Sequence, residues 1–223
     1  ISTYNLCKYS SENNIKNFVN VSTDKAVNPK STMGLSKRIC ELIVSKSANE
    51  NNFYSVRFGN VLNSSGSVIP IFSRQIENDQ KITLTDLEAT RYFMSIPEAI
   101  SLILLSYNLK KKNNNIFILD MGKPIKIFDI AKRLCKIYNK NLVSDKKVLN
   151  DIEFVVTGLR DGEKLHEELY IGSQEIIRTE IKKIFKIEDK DIKLDISIFI
   201  AKFKDLVENN SEDDLKNFLR SKV

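Results

Sequence analysis

The sequence predicts an α/β fold built on a parallel sheet. Two short apolar strands, Phe18–Val21 and Tyr54–Phe58, flank a helix that begins near Ser31 or Thr32, either of which can cap it. Strand, helix and strand in this order form a parallel βαβ unit. A further strand, Ile116–Asp120, is almost continuously apolar, as expected for a strand that is buried on both faces.

The other elements follow from hydrophobic period and end signals. The helix after Ser31 should continue to about Ala48, and the helix at the start of the chain should stop at Asn13 and Asn14. Further helices are expected over Val68–Glu77, from Pro97 to about Leu109, over Ile127–Tyr138, over Glu163–Tyr170, and as two charged helices between Asp195 and Val223. Further strands are expected over Lys81–Thr85 and Ile152–Thr157.

Composition excludes several functional classes. The net charge is +6, but Lys110–Lys112 is the one tight basic cluster, which does not indicate a nucleic-acid surface. Three scattered cysteines and the single histidine, His166, predict neither a disulfide framework nor a metal site, and they favour a reducing, cytoplasmic compartment. The apolar stretch Ala99–Tyr107 is too short to span a bilayer, and no signal peptide is recognisable.

Candidate chemistry is concentrated between Ser22 and Lys37. Hydroxyls, an acid and a base follow the first strand directly, and ligands of open α/β sheets bind at the carboxyl ends of the strands. Adjacent Asp24 and Lys25 can act as general acid and base if burial favours their neutral forms; the alternative is a turn with a surface ion pair. Met33 and Lys37 share a helix face, so Lys37 can reach toward the strand end; alternatively, Met33 is a core residue and Lys37 is solvated.

These residues resemble the active-site segment of the extended short-chain dehydrogenase/reductases. The amino-acid sequence of this segment is similar to that of one branch, the nucleotide-sugar 4,6-dehydratases of polysaccharide biosynthesis that act on UDP-N-acetylglucosamine. The motifs that carry the resemblance lie within residues 1–172 and are Val21–Pro29 with Met33–Arg38, Arg57–Leu62, Gly66–Pro70, Ala89–Met94 and Gly158–Leu165. The resemblance implies a Rossmann-like parallel sheet with a smaller α/β substrate-binding lobe.

The resemblance also implies roles for single residues of the first motif. Thr23 takes the place of the residue that hydrogen-bonds the 4-hydroxyl of the sugar, Asp24 that of the acid for the 6-hydroxyl, and Lys25 that of the base for the C5 proton. Lys37 takes the place of the lysine that holds the nicotinamide ribose, and Ser22 lies beside the same cofactor.

Four residues of the later motifs take the place of groups that hold the nucleotide and its diphosphate. They are Asn60, Arg91, Arg160 and Glu163. Arginine suits this task because its planar fork meets phosphate oxygens bidentately.

Met33 departs from the wider superfamily, which has tyrosine at this position. A thioether exchanges no proton, so the base that deprotonates the 4-hydroxyl is another group, either Asp24 or Thr23 through water. The methionine form resembles a membrane-associated, configuration-retaining subgroup, although related 5-epimerizing dehydratases also carry methionine. Three activities stay open: a 4,6-dehydratase, which is a lyase; a nucleotide-sugar epimerase; and a non-catalytic nucleotide-binding module.

The resemblance divides the chain into two parts. Residues 1–63 and 97–122 correspond to the C-terminal half of an NAD(P)-binding domain, and residues 64–96 and 123–223 to the substrate-binding lobe with C-terminal helices. No GxGxxG loop is present, so we expect the chain to be a fragment that alone is inactive and holds the cofactor weakly.

The resemblance further implies a cofactor, partners and a location. The cofactor is NAD or NADP, with NAD favoured, and the partner is a UDP-sugar. A homo-oligomer is expected, because helices that flank such sheets often pair. A membrane anchor upstream of Ile1 would place the full-length protein at the cytoplasmic face of the inner membrane.

Overall fold

The structure is a computed structural model. It describes residues 1–47, 52–64, 66–109, 115–172, 174–188, 195–209 and 212–222. The cluster Lys110–Lys112 and the helix end expected at Ala48 lie outside these ranges. Within the described ranges, no helix has both the length and the apolar character required to cross a bilayer.

The elements are numbered in chain order. The helices are α1 (Ser2–Glu12), α2 (Thr32–Lys46), α3 (Val68–Glu77), α4 (Ile96–Ser106), α5 (Ile127–Ile137), α6 (Ile196–Glu208) and α7 (Glu212–Arg220). The strands are β1 (Asn17–Thr23), β2 (Asn52–Phe58), β3 (Asn60–Val61), β4 (Ile82–Leu84), β5 (Thr90–Arg91), β6 (Phe93–Met94), β7 (Asn115–Leu119), β8 (Ile125–Lys126), β9 (Asn141–Val143), β10 (Asp151–Val156), β11 (Ile176–Arg178) and β12 (Ile184–Glu188).

The chain packs as two compact units, each with its own sheet. The first unit comprises Ile1–Phe58, Ser101–Asp120 and Glu168–Val223. Its sheet has the strand order β1-β2-β7-β12-β11, in which β1, β2 and β7 are parallel. This arrangement confirms the predicted α/β class. The sequence did not predict β11 and β12, which add antiparallel strands beyond β7.

The core of the first unit joins α2 to the C-terminal helices. Apolar residues repeat along α2 at helical spacing and pack with α1, β2, α6 and α7. Members of this cluster are Cys7, Ile39, Leu42, Ile43, Val44, Phe53, Phe199, Ile200 and Leu219. The C-terminal helices therefore pack with the parallel sheet, whereas the sequence placed residues 123–223 in the other lobe. The functional labels of the two parts stay predictions.

The second unit comprises Gly59–Ile100 and Met121–Glu167. Its main sheet has the order β4-β10-β9 with parallel pairs, and α3 and α5 pack on it. The pairs β3–β6 and β5–β8 form two smaller sheets. The helix Val68–Glu77 has its predicted bounds, and β10 is shifted by a single residue from the predicted strand.

Two predicted element assignments were wrong. The segment Glu163–Tyr170 is not helical, because its backbone bonds a distant strand: the amide of Thr90 donates to the carbonyl of Leu165 at 3.0 Å, and Thr90 bridges His166. The first strand also does not end at Val21, since β1 continues to Thr23 in register with β2. The candidate chemistry thus begins on the strand itself.

Candidate active site

Three side chains meet where β1 ends in the first unit. After Thr23 the backbone turns into a short 3₁₀ helix, Asp24–Ala26, and the hydroxyl of Thr23 accepts a hydrogen bond from the amide of Lys25 at 3.4 Å. The same hydroxyl donates to Asp24 Oδ1 at 2.8 Å. The sequence-predicted trio of hydroxyl, acid and base is therefore assembled at the carboxyl end of a parallel strand.

Asp24 is the centre of this trio. It is fully buried, and its Oδ1 also accepts a hydrogen bond from Lys25 Nζ at 3.0 Å. Within the part of the chain that the structure describes, its Oδ2 is buried and has no hydrogen-bond partner. Buried carboxylate oxygens are rarely left unpaired, because each lost hydrogen bond is expensive in a dry environment. Asp24 Oδ2 is therefore the acceptor that a ligand hydroxyl would satisfy.

Lys25 gives the trio its base. Its side chain is 29% exposed, whereas that of Asp24 is 0% exposed. The pair is therefore half-buried rather than a surface ion pair, which was the alternative interpretation from the sequence. Asp24 and Lys25 thus lie 3.0 Å apart at the carboxyl end of a strand, the edge at which open α/β sheets bind ligands.

Helix α2 carries the other two candidates of the first unit. Ser31 caps the helix, with its hydroxyl accepting from the amide of Gly34 at 3.0 Å, as the sequence predicted. Met33 is 47% exposed, so it is not a core residue. Lys37 is half-buried, and no hydrogen bond or ion pair joins it to another described residue. Its ammonium is thus available for hydroxyls of a ribose.

A buried ionic cluster, which the sequence did not predict, lies beside the trio. The carboxylate of Glu41 accepts from Arg57 Nε at 3.0 Å, Arg57 Nη2 at 2.7 Å, Arg38 Nη1 at 3.1 Å and the hydroxyl of Ser22 at 2.6 Å. Arg57 also donates to the carbonyl of Leu169 at 3.0 Å. Because the hydrogen of Ser22 is donated to Glu41, Ser22 has only its acceptor capacity left for a cofactor.

The charge of Glu41 follows from these contacts. Burial raises the pKa of this carboxyl, but the two arginines, Arg57 first, and the Ser22 hydroxyl outweigh it and hold the pKa below its usual range. Glu41 is therefore ionised at neutral pH. One signal was visible in the sequence: Arg57 interrupts the apolar strand Tyr54–Phe58, and a buried arginine requires a counter-charge.

Three of the four predicted nucleotide-binding residues converge in the second unit. Arg91 Nη2 donates to Glu163 Oε1 at 2.8 Å, and Arg91 Nη1 donates to the carbonyls of Thr90 and Leu165. Glu163 Oε2 accepts from the backbone amide of Arg160 at 3.3 Å. The side chain of Arg160 takes no part in this bond, and the residue is exposed. Arg91 is therefore held inside the unit, and Arg160 presents the exposed guanidinium.

Asn60, the fourth predicted residue, lies on β3. Its backbone amide donates to the carbonyl of Tyr92 at 3.0 Å, and Tyr92 is the residue that follows Arg91 in the chain. The motifs that contain Asn60 and Arg91 thus share a backbone hydrogen bond in the second unit.

Comparison with known proteins gives the family. The family model of the polysaccharide biosynthesis proteins matches residues 1–189. The capsular polysaccharide biosynthesis protein CapD of Staphylococcus aureus is 43% identical over 221 residues, or 96% of this chain and 35% of that protein. The probable polysaccharide biosynthesis protein EpsC of Bacillus subtilis is 45% identical over 76% of this chain and 27% of that protein. The chain thus spans about a third of the length of these relatives.

A relative named for a different activity also matches. The UDP-glucose 4-epimerase of Rickettsia rickettsii is 33% identical over 81% of this chain and 50% of that protein. Both a polysaccharide-synthesis protein and an epimerase are therefore similar to the chain at the level of sequence.

Solved structures share the fold. Pen from Bacillus thuringiensis has a TM-score of 0.72 and 30% identity, over 84% of this chain and 58% of that chain. The dTDP-glucose 4,6-dehydratase of Bacillus anthracis in complex with NAD has a TM-score of 0.60 and 15% identity, over 75% of this chain and 56% of that chain, and supports the Rossmann-like fold alone. On the match over residues 1–189, the chain belongs to the polysaccharide biosynthesis protein family.

Proposed function

We propose that the protein is a nucleotide-sugar 4,6-dehydratase that removes water from UDP-N-acetylglucosamine and yields a UDP-4-keto-6-deoxy-N-acetylhexosamine. The observation that carries the proposal is the trio at the end of β1, in which a buried carboxylate holds an amine at 3.0 Å and a hydroxyl at 2.8 Å. A dehydration needs a group that removes the C5 proton and a group that protonates the departing 6-hydroxyl, and Lys25 and Asp24 supply both.

The cofactor is NAD or NADP. When bound, it would supply hydride transfer from C4 to C6, which would make the reaction redox-neutral. Of the two residues predicted to hold it, Lys37 fits the task because its ammonium has no partner among the described residues. Ser22 fits less well, since its hydroxyl hydrogen is already donated to Glu41.

The hydroxyl of Thr23 provides a path by which the 4-hydroxyl of the sugar loses its proton in the absence of a tyrosine. Thr23 donates to Asp24 Oδ1, so a proton taken from the 4-hydroxyl through Thr23 arrives on the carboxylate of Asp24. Met33 takes no part in this transfer, because a thioether does not exchange protons. Asp24, protonated in this way, is the acid that the next step requires.

The proton balance closes on Asp24 and Lys25, with Thr23 as the relay. Asp24 receives the 4-hydroxyl proton and passes it to the 6-hydroxyl, which leaves as water. Lys25, as the neutral amine, takes the C5 proton, and the ammonium so formed later gives a proton to C5. Both groups end in the protonation state in which they began.

The alternative is a 4-epimerase, which the relationship to the Rickettsia enzyme favours. An epimerase needs hydride transfer and proton removal at C4, which Thr23 and Asp24 could also serve, but it needs no base for the C5 proton, so it leaves Lys25 without a task. A non-catalytic nucleotide-binding module would leave the whole trio without one.

The product formed from UDP-N-acetylglucosamine separates these activities. The protein at its full natural length is incubated with NAD and the sugar nucleotide, and the products are measured by mass spectrometry. A product lighter by one water supports the dehydratase, and an isomer of unchanged mass supports the epimerase. No conversion under these conditions contradicts both enzymatic proposals.

A further inference from the structure

We propose that Glu41 is a positioning residue of the candidate active site, and that it acts through the hydroxyl of Ser22 to hold Thr23, Asp24 and Lys25 in place. This inference rests on the proposed function, because it assigns the trio a catalytic task. Glu41 belongs to no motif that the sequence singled out, and it contacts none of the three catalytic side chains directly.

Glu41 joins separate segments of the first unit at one carboxylate. It lies on α2 and is bonded by Arg38 of the same helix, by Arg57 of β2 and by Ser22 of β1. Arg57 extends the cluster to the carbonyl of Leu169. The helix that carries Lys37 and the strand that ends in Thr23 are therefore bonded to the same anion.

Buried ion pairs hold the Glu41 carboxylate in place. The side chains of Arg57 and Arg38 are 2% and 8% exposed, and that of Glu41 is 0% exposed. Glu41 is the anion that both cations contact, so it stays ionised and paired. An ionised acceptor strengthens the bond from Ser22, which agrees with its short length of 2.6 Å.

The geometry of β1 links the Ser22–Glu41 hydrogen bond to the position of the trio. Ser22 and Thr23 are the last two residues of β1, and neighbouring side chains of a strand point to opposite faces. Fixing the Ser22 side chain on the Glu41 face therefore presents Thr23 on the other face, and it limits the rotation of the backbone that continues into Asp24. Displacements of about 1 Å near reacting groups can lower turnover by roughly a hundredfold.

The experiment uses Ser22→Ala, which removes the link and spares the ion cluster. Glu41 Oε1 still accepts from Arg57 Nε in this variant, so no buried charge is left without a partner. Glu41→Gln is unsuitable alone, because it removes the counter-charge of two buried arginines. Ser106→Ala is the matched control, since Ser106 is equally buried in the first unit and bonds Tyr54 and the carbonyl of Ile103.

Two measurements are made on the full-length protein. The first is amide hydrogen exchange of the segment that spans residues 21–27. Ser22→Ala should accelerate exchange there, and Ser106→Ala should leave it unchanged. The second is turnover of UDP-N-acetylglucosamine, where Ser22→Ala should lower kcat by roughly tenfold or more with a nearly constant KM, a pattern expected when only alignment is lost.

The outcomes separate this inference from the proposed function. Unchanged exchange in Ser22→Ala overturns the positioning role, whether or not the wild type turns over. A wild type without turnover contradicts the dehydratase proposal, while accelerated exchange in Ser22→Ala still supports the link from Glu41 to the trio. Equal loss of kcat in Ser22→Ala and Ser106→Ala would assign the effect to general destabilisation and would also overturn the role.

Discussion

The carbonyl oxygen of Lys25 lies against the α-carbon of Gly34, so close that a β-carbon on Gly34 would stand less than 3.0 Å from it. Such a β-carbon would also meet Pro29 and Ser31. Because Lys25 is the central residue of the 3₁₀ helix Asp24–Ala26, the absence of a side chain at Gly34 lets the first turn of α2 pack directly on the candidate catalytic segment.

Gly34→Ala should therefore displace the Lys25 backbone. Alanine gains about 1 kcal/mol of helix propensity over glycine, but overpacking against a backbone atom costs roughly 1–3 kcal/mol, so the clash wins. We expect a lower melting temperature and a large loss of turnover. Gly172→Ala is the control, because its β-carbon meets nothing within 4 Å. Equal stability and turnover in the two variants would show that the close approach does not matter.

The ionisation of Glu41 predicts how the stability of the first unit depends on pH. The folded pKa of Glu41 is lowered, because Arg57 and Arg38 outweigh the effect of burial. Its contribution is therefore fully present above the unfolded pKa, about 4.3, and is lost as pH falls through the folded pKa. Glu41→Gln should cost roughly 3–5 kcal/mol at pH 7, since breaking the buried pair leaves the Arg57 guanidinium uncompensated.

Denaturant unfolding at a series of pH values checks this prediction. The difference between wild type and Glu41→Gln should shrink as the medium becomes acidic, because protonated Glu41 resembles glutamine. Glu12→Gln is the control: Glu12 forms an exposed pair with Lys8 at 3.8 Å and should change stability by about 0.5 kcal/mol or less. A Glu41→Gln variant as stable as Glu12→Gln at pH 7 would refute the buried network.

Arg91 and Arg160 should respond differently to the same substitution. Arg91→Ala removes a side chain that is 8% exposed and leaves Glu163 without its ion-pair partner, so the second unit should unfold at a lower temperature. Arg160→Ala keeps the backbone amide that bonds Glu163, so the melting temperature should be unchanged. Under the proposed function, Arg160→Ala should raise KM for the sugar nucleotide about tenfold. An unaltered KM in Arg160→Ala would remove Arg160 from the binding site.

The sequence was most informative where structure is determined locally. The strands around Phe18–Val21 and Tyr54–Phe58 and the Ser31 cap were predictable, because apolar runs and capping depend on neighbouring residues. The same local information placed Thr23, Asp24 and Lys25 at a strand end. Their mutual contacts follow from adjacency, and so this part of the candidate site was also predictable.

Long-range pairing explains what the sequence did not predict. The segment after Glu163 has helical propensity, but two of its residues hydrogen-bond Thr90. One of them, His166, lies 76 residues after Thr90 in the chain. Glu41 meets Arg57 across 16 residues, and only tertiary packing brings α2 and β2 together at that point. Strands β11 and β12 are short, and their pairing depends on β7.

The central claim is that Lys25 and Asp24 carry out the elimination at C5 and C6, and solvent deuterium tests it most directly. The full-length protein is incubated with UDP-N-acetylglucosamine in D₂O, and deuterium at C5 is measured by NMR. Wild type and Lys30→Ala, which alters an exposed lysine of the same segment, should incorporate deuterium at C5. Lys25→Ala should abolish this incorporation. Retained incorporation in Lys25→Ala would contradict the assignment of Lys25 as the base and, with it, the proposed role of the pair.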